Sequence, residues 1–349
     1  TELGYDLGYS KAEVYNNEIN LYNWKEPNES SIQKNNNTFW QLKNYVTYNN
    51  TFAKKHSVTA MLGQECWESK WDYTKVRNTK LPSDAVHNPV LGTGTATIGV
   101  GFGSAAMASF FTRWTYSYDS RYNATYTYRY DGSSNFGPNN RWAGFHSFAT
   151  SWRFSNEKFV QAIAGKWLSN GKLRIGWGQT GNSNIKSYVW GINMQPVYTT
   201  LGNGYRPQNI PNLDVKWEKQ EQIDLGLDLG FLNDRINVTL DWYQKESKDM
   251  LMELQLPSYM GTSGNGNSKL NAPMGNYGHI RNSGFELTIN THPLVGKFQW
   301  DSEFQISWNK NKLIALNGTA SSAIMGYAQW EQTLVSKTDI GGSLYNFYG

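Results

Sequence analysis

The 349 residues carry 32 Lys and Arg against 28 Asp and Glu, a formal net charge of +4 without a basic block, which gives nucleic-acid binding no footing. Hydrophobic residues make up 39% and mean hydropathy is −0.62; no apolar run reaches the ~18 residues a helix needs to span a bilayer, so nothing in these residues reads as a membrane-spanning helix. The single cysteine, Cys66, excludes an intrachain disulfide and a cysteine-rich metal site, whereas 15 Trp and 22 Tyr are a heavy aromatic load that suits half-wet surfaces and membrane interfaces.

Along the chain the dominant pattern is period two, one apolar face against one polar face. A less regular strand is expected over residues 3–15, then clearer ones over 40–52 and 56–67, joined by a short turn at 53–55. Cys66 sits on the apolar face of the second of these, as a small hydrophobe. A long Gly- and Asn-rich connection over 68–105 leads to a strand at 108–118, a turn at 119–120 and a strand at 121–131. There Tyr122, Ala124, Tyr126, Tyr128 and Tyr130 oppose Arg121, Asn123, Thr125, Thr127, Arg129 and Asp131. Residues 132–143 form a second long connection before a strand at 144–154. In the intermediate stretch 155–171, Phe159, Val160, Ile163 and Trp167 have the spacing of one small amphipathic helix.

A strand at 172–179 and a third long connection, 180–219, precede a clear hairpin. In it Ile223, Leu225, Leu227 and Leu229 alternate with Gln222, Asp224, Gly226 and Asp228; after a turn at 230–234, Ile236, Val238, Leu240 and Trp242 alternate with Asn237, Thr239 and Asp241. The fourth long connection covers 246–283. The last hairpin has strands at 285–290 and 298–308 around a turn at 293–297, with Glu286, Asp301 and Glu303 on its polar face.

A soluble sandwich predicts the same alternation, so alternation alone does not choose the solvent. Strands of roughly 9 to 11 residues, aromatics near strand ends, and short turns in succession with long loops favour a membrane barrel. In hydrocarbon every backbone group must be paired, so a spanning sheet must close on itself. The expected fold class is therefore all-β, an antiparallel transmembrane β-barrel with about eleven strands. The first and last segments look cut rather than capped, which makes residues 1–349 part of a larger barrel, and Thr1 follows no signal sequence, so any signal lies upstream or has been removed.

The run RYDGSSNFGPNNRWAGFHSFATSWR over residues 129–153 resembles the barrel region of the SusC/RagA family of TonB-linked outer-membrane proteins of Bacteroidetes. The similarity continues in order through KLRIGWGQTGN (172–182), LDVKWE (213–218), GLDLGF (226–231), DWYQKESKDML (241–251), NYGHIRNSGFEL (276–287) and WNKNKLIAL (308–316). The resemblance implies a barrel of about 22 strands, of which this chain would supply about half, with short periplasmic turns and long extracellular loops. It further implies energised import of an oligosaccharide or peptide, a SusD-like surface lipoprotein as partner, and coupling to TonB–ExbB–ExbD through an N-terminal region. The plug, TonB box and C-terminal strands of that family are not found in this stretch. A soluble carbohydrate-binding sandwich and a passive porin remain the alternatives.

No catalytic, metal or cofactor site is expected. GFGSAA near residues 99–106 lacks the strand–turn–helix setting of a dinucleotide loop and reads as a flexible loop; residues 131–135 read as a structured turn, since a calcium loop needs a further Gly and Glu. Five scattered histidines have no metal spacing. Arg121, Arg129, Asp224, Asp228, Asp241, Glu286, Asp301 and Glu303 are expected to face a watery lumen. Tyr122, Tyr126, Tyr128, Leu225, Leu227, Val238, Leu240, Trp242, Phe304 and Ile306 are expected to face lipid. Candidate ligand contacts are the loop aromatics Trp71, Tyr73, Tyr188, Trp190, Tyr198, Tyr205, Tyr259 and Tyr277, whose faces suit the C–H patches of sugar rings.

Overall fold

The computed structural model describes residues 1–22, 24–254, 256, 258–262, 269–316, 323–327 and 334–347. Eleven strands form one sheet in which neighbours in sequence are neighbours in space. They are β1 (Glu2–Asn16), β2 (Glu29–Phe52), β3 (His56–Thr79), β4 (Thr97–Tyr118), β5 (Tyr122–Ser133), β6 (Trp142–Trp152), β7 (Leu168–Asn182), β8 (Glu218–Phe231), β9 (Ile236–Glu253), β10 (Met274–Val295) and β11 (Gln299–Leu316). Each of the eleven expected strands is present. No helix among the described residues is long and apolar enough to cross a membrane. The expected small helix is α1 (Lys158–Ala164).

The expected strand length of 9 to 11 residues was too short: β6 has 11 residues, but β2 and β3 have 24 each and β4 and β10 have 22. Two long connections shrink accordingly, to 80–96 and 254–273. The Gly-rich stretch expected as a flexible loop lies inside β4. There Gly99, Gly101 and Gly103 alternate with Ile98, Val100 and Phe102, so the period of two persists although one face has no side chains. Small hairpins decorate two connections, at Ile19–Leu21 with Trp24–Glu26 and Met194–Thr199 with Gly202–Pro207, and after β11 Ala323–Tyr327, Leu334–Asp339 and Asn346–Phe347 form a small three-stranded sheet.

Contacts divide the chain into two compact units. The first comprises Thr1–Asn44 and Gln64–Ala108. In it β1 pairs with β2, placing Leu3 opposite Leu42 and Tyr5 opposite Trp40 on one face, and Gly4 opposite Gln41 and Gly8 opposite Asn37 on the other. Loop 80–96 is tied down by Asn28. Its carboxamide donates to the Leu81 carbonyl at 3.2 Å and accepts from the Leu81 N–H at 2.7 Å, as a strand backbone would. The same amide and the Tyr15 hydroxyl donate to Asp84, while His87 stacks on Tyr15 with ring centres 4.2 Å apart.

The second unit comprises Tyr45–Gly63 and Ser109–Gly349. Its short turns are left-handed: Ala53 and Lys54 have φ of 48° and 58°, Asp119 and Ser120 of 52° and 55°. Each two-residue loop is closed by a hydrogen bond, Lys55 N–H to Phe52 O at 3.1 Å and Arg121 N–H to Tyr118 O at 2.9 Å. This primed geometry matches the twist of the flanking strands.

The fully buried side chains of this unit are divided between strands, with Leu313 in β11 and Ser109 in β4, and loops. Phe136 and Val215 are 0% exposed; Phe136 and Phe145 pack on Trp217 at ring-centre distances of 5.1 and 5.6 Å, and the Trp217 indole donates to the Arg141 carbonyl at 3.0 Å. Gly181 lies under Phe145, where a Cβ would collide with the ring.

Candidate functional site: the polar face of the sheet

Register decides which side chains share a face, because residues directly opposite in an antiparallel pair point the same way. Asn123 pairs with Ser151, Ser151 with Arg174, Arg174 with Gly226, Gly226 with Asp241, Asp241 with Glu286 and Glu286 with Ser307. One polar row thus runs from β5 to β11. One residue along, the row is Tyr122, Trp152, Leu173, Leu227, Leu240, Leu287 and Ile306. The next row on the apolar face contains Leu225, Trp242, Phe285 and Trp308.

On the polar face Arg174 is a hub. Its Nε and one terminal nitrogen donate to Asp228, both at 2.9 Å, and the guanidinium also meets Asp241 at 2.9 Å. Asp224 accepts from Gln222 at 2.8 Å. A groove of about 300 Å³ follows this face, lined by Asn123, Thr125, Ser151, Lys172, Arg174 and Asp224 among others. Glu286 and Glu303 are exposed on the same face, opposite Asp241 and Asn290 respectively, and Asp301 contacts His292 at 2.6 Å. Arg129 pairs with Asp131 at 2.7 Å, donates to Ser109 at 2.7 Å and stands over the Phe111 ring.

Arg121 has a different setting. It belongs to the short-turn end, where it meets Asp119 and Glu157, both at 2.9 Å. Glu157 also accepts from the Tyr122 hydroxyl at 2.6 Å and the Trp152 indole at 3.3 Å. These donors occupy the carboxylate, so Glu157 stands at the N-cap of α1 without capping it through its side chain. The Tyr122 hydrogen bond, with Trp152 and Arg121, holds the Glu157 carboxyl below the usual range despite burial.

The apolar face ends in charge toward the long loops. Beyond Ile223, Glu221 pairs in register with Gln179 and Glu246, and Glu246 with Arg281. Lys248 bridges to Glu221 at 2.5 Å, and Arg281 and His279 reach Glu246 at 2.7 and 3.1 Å. Sequence reasoning missed this row because it took residues 246–283 as loop.

A sheet polar on one face and apolar on the other over seven strands, with short turns at one end and long loops at the other, matches the family model described as TonB dependent receptor-like, beta-barrel, across residues 1–347. The chain belongs to that family. It is a β-barrel segment of the outer-membrane type. It is 29% identical to TonB-dependent receptor P39 of Formosa agariphila over 100% of the chain and 32% of that protein, and 38% identical to TonB-dependent receptor SusC of Bacteroides thetaiotaomicron over 61% of the chain and 21% of that protein. Among solved structures, that of the RagAB peptide transporter superposes with a TM-score of 0.84 and 25% identity, covering 97% of this chain and 36% of the other. The chain therefore spans about a third of the length of the curated relatives it matches.

Within this receptor barrel the expected ligand aromatics scatter. Trp71 and Tyr73 are in β3 rather than a loop, stacked with planes 5° apart. Tyr188 and Tyr205 are exposed in the connection 183–217, and Tyr259 is exposed in a short turn at Ser258–Met260. Trp190 rests against Gly137, and its carbonyl accepts from Asn212, so it packs loops together. Tyr277 lies in β10 rather than a loop, its ring over Gly275. The side chain of Tyr198 lies outside the described residues. Among the described residues, the ring contact between two of these candidates is that of Trp71 with Tyr73.

Proposed function

We propose that the chain is part of the wall of a TonB-driven importer in the outer membrane, with the polar face lining the lumen and the apolar face meeting lipid. The short turns then lie in the periplasm and the long loops outside. The observation that carries this reading is the unbroken register of polar and apolar rows from β5 to β11. From Ile223 to Phe231 the apolar face of β8 covers eight rises of about 3.3 Å, roughly 20 Å along a membrane normal for strands tilted ~40°, close to the ~25 Å apolar band of such barrels. The charged row at Glu221, Glu246 and Arg281 stands just past it.

The cargo is an oligosaccharide or a peptide, taken up with a SusD-like lipoprotein at the extracellular mouth and with energy from TonB–ExbB–ExbD through the N-terminal region of the whole protein. The family supports TonB coupling; similarity to the RagAB peptide transporter supports the paired arrangement and a peptide cargo, and the oligosaccharide alternative rests on the resemblance carried by the sequence motifs.

The test uses the full-length protein with its neighbouring lipoprotein in a Gram-negative host. Uptake of labelled oligosaccharides or peptides that a protonophore abolishes is the expected result. Uptake that continues without the proton-motive force identifies a passive porin instead, and recovery of the protein in water without detergent identifies a soluble sandwich.

A further inference from the structure

Within the first unit, β2 and β3 face each other with Glu29 against Arg77, Gln41 against Glu65 and Phe39 against Trp67. All are odd-numbered, so Trp71 and Tyr73 share this face with Gln33, Asn35 and Asn37. It is the polar face, the one that carries Gly4 and Gly8 of β1. On the other side of the two rings the adjacent strand offers no side chains: a Cβ on Gly101 would collide with the Tyr73 ring, and one on Gly103 would come within 2.7 Å of the Trp71 indole. The rings therefore lie down over bare backbone. Their planes differ by 5°, their centres are 6.3 Å apart, and Trp71 remains 45% exposed.

We propose that Trp71 and Tyr73 form a flat platform that binds two successive sugar rings of an oligosaccharide. This rests on the importer reading and decides between its two cargo classes. Near-parallel rings backed by bare backbone offer π-faces to the C–H faces of pyranoses, and the carboxamides alongside supply both donors and acceptors for hydroxyls. Gln33 already donates to Asn35 at 2.7 Å, and Asn35 to Ser10 at 2.9 Å, so these amides are held in place beside the platform. Of the ions on this face, Arg77 and Glu65 are paired with Glu29 and Lys43, and Lys75 stands next to Tyr73, so the face beside the rings carries a single lysine and mostly amides.

The full-length protein, purified in detergent, is titrated with soluble α-1,4- and β-1,4-linked gluco-oligosaccharides, mannan fragments, and a tryptic digest of casein, by calorimetry. At least one oligosaccharide is expected to bind; Trp71→Ala should weaken it about tenfold or more, Tyr73→Ala should weaken it too, and Gly204→Ala, with nothing within 4 Å, should leave it unchanged. Gly103→Ala keeps both rings but forces the indole out of plane, and should also weaken binding, which keeps the test decisive if Trp71→Ala does not fold. Unchanged affinity in folded Trp71→Ala or Gly103→Ala, binding of casein peptides alone, or no binding of any probe overturns the proposal. Because binding is read without an energy source, failure of energised uptake in cells leaves the platform standing, and an inert platform leaves uptake standing.

Discussion

Arg174 reaches Asp241 only by lying across Gly226. The glycine stands between them in the register, and a Cβ there would fall 2.5 Å from the guanidinium carbon and 2.6 Å from a carboxylate oxygen of Asp241. A strand-interior glycine costs backbone entropy, and here the close approach of two charged side chains requires it.

Gly226→Val should therefore destabilise the barrel by about 1–3 kcal/mol through overpacking, with the ion pair adding little because Arg174 is a third exposed. Gly204→Ala, where nothing lies within 4 Å, is the control. Urea unfolding of the full-length protein in detergent reads both. Equal midpoints for the two variants would show that the crossing is not tightly packed.

Glu157 sets an acid limit on the short-turn end. Its folded pKa lies below the unfolded value, so its contribution is present above the unfolded pKa of about 4.3 and is lost as pH falls through the folded one. Glu157→Gln should lower the thermal midpoint at pH 7 and flatten its decline between about pH 5 and 3. Melting curves across that range check the sign: an undiminished acid decline in the variant would place the titrating group elsewhere.

The eleven strands were legible because an amphipathic sheet repeats its period whatever its neighbours, and the small helix was legible because the adjacent Phe159 and Val160, followed by Ile163, break that period. The strand ends were not. Glu68, Lys70 and Asp72 in β3 and the glycines of β4 lack a greasy face, so an expectation tied to bilayer thickness stopped at the hydrocarbon edge, whereas hydrogen bonding along the ladder continues past it. For the same reason Trp71 and Tyr73 looked like loop residues, and their juxtaposition with Gly101 and Gly103 needed the strand pairing. The motifs that carry the family resemblance are largely structural. Phe136 and Phe145 pack on Trp217, whose indole donates to the Arg141 carbonyl, and Val215, two residues before Trp217, is fully buried.

The two faces can be told apart by one charge. Leu227 and Leu240 are directly opposite each other on the apolar face, while Thr239, next in chain, pairs with Asp228 on the polar face. Leu227→Arg or Leu240→Arg should cost roughly 2–4 kcal/mol near the membrane midplane, and Thr239→Arg, beside Asp228, well under about 1 kcal/mol. Folding yield and urea midpoints in lipid vesicles give the comparison. Equal tolerance of Arg at positions 227 and 239 would reverse or remove the assigned facing.

The hairpin turn at Ala53 and Lys54 is poorly suited to its own geometry. Both residues are held at positive φ, where an L side chain with an ordinary Cβ costs about 1–2 kcal/mol, yet neither residue is Gly, Asn or Asp. The turn persists because β2 and β3 on either side are long and paired, so the ladder imposes the primed conformation on a sequence that does not prefer it. The double substitution Ala53→Asn with Lys54→Gly should relieve that strain. Part of the gain is offset by the added freedom of glycine in the unfolded chain, leaving about 1 kcal/mol of net stabilisation. The same exchange at Asp119 and Ser120 should gain less, since Asp tolerates the left-handed region and the Asp119 carboxylate meets Arg121 at 2.9 Å. Unfolding midpoints of the two double variants, measured side by side, test the order; a larger gain at 119–120 than at 53–54 would mean that the ladder, rather than the turn residues, sets the energy of both hairpins.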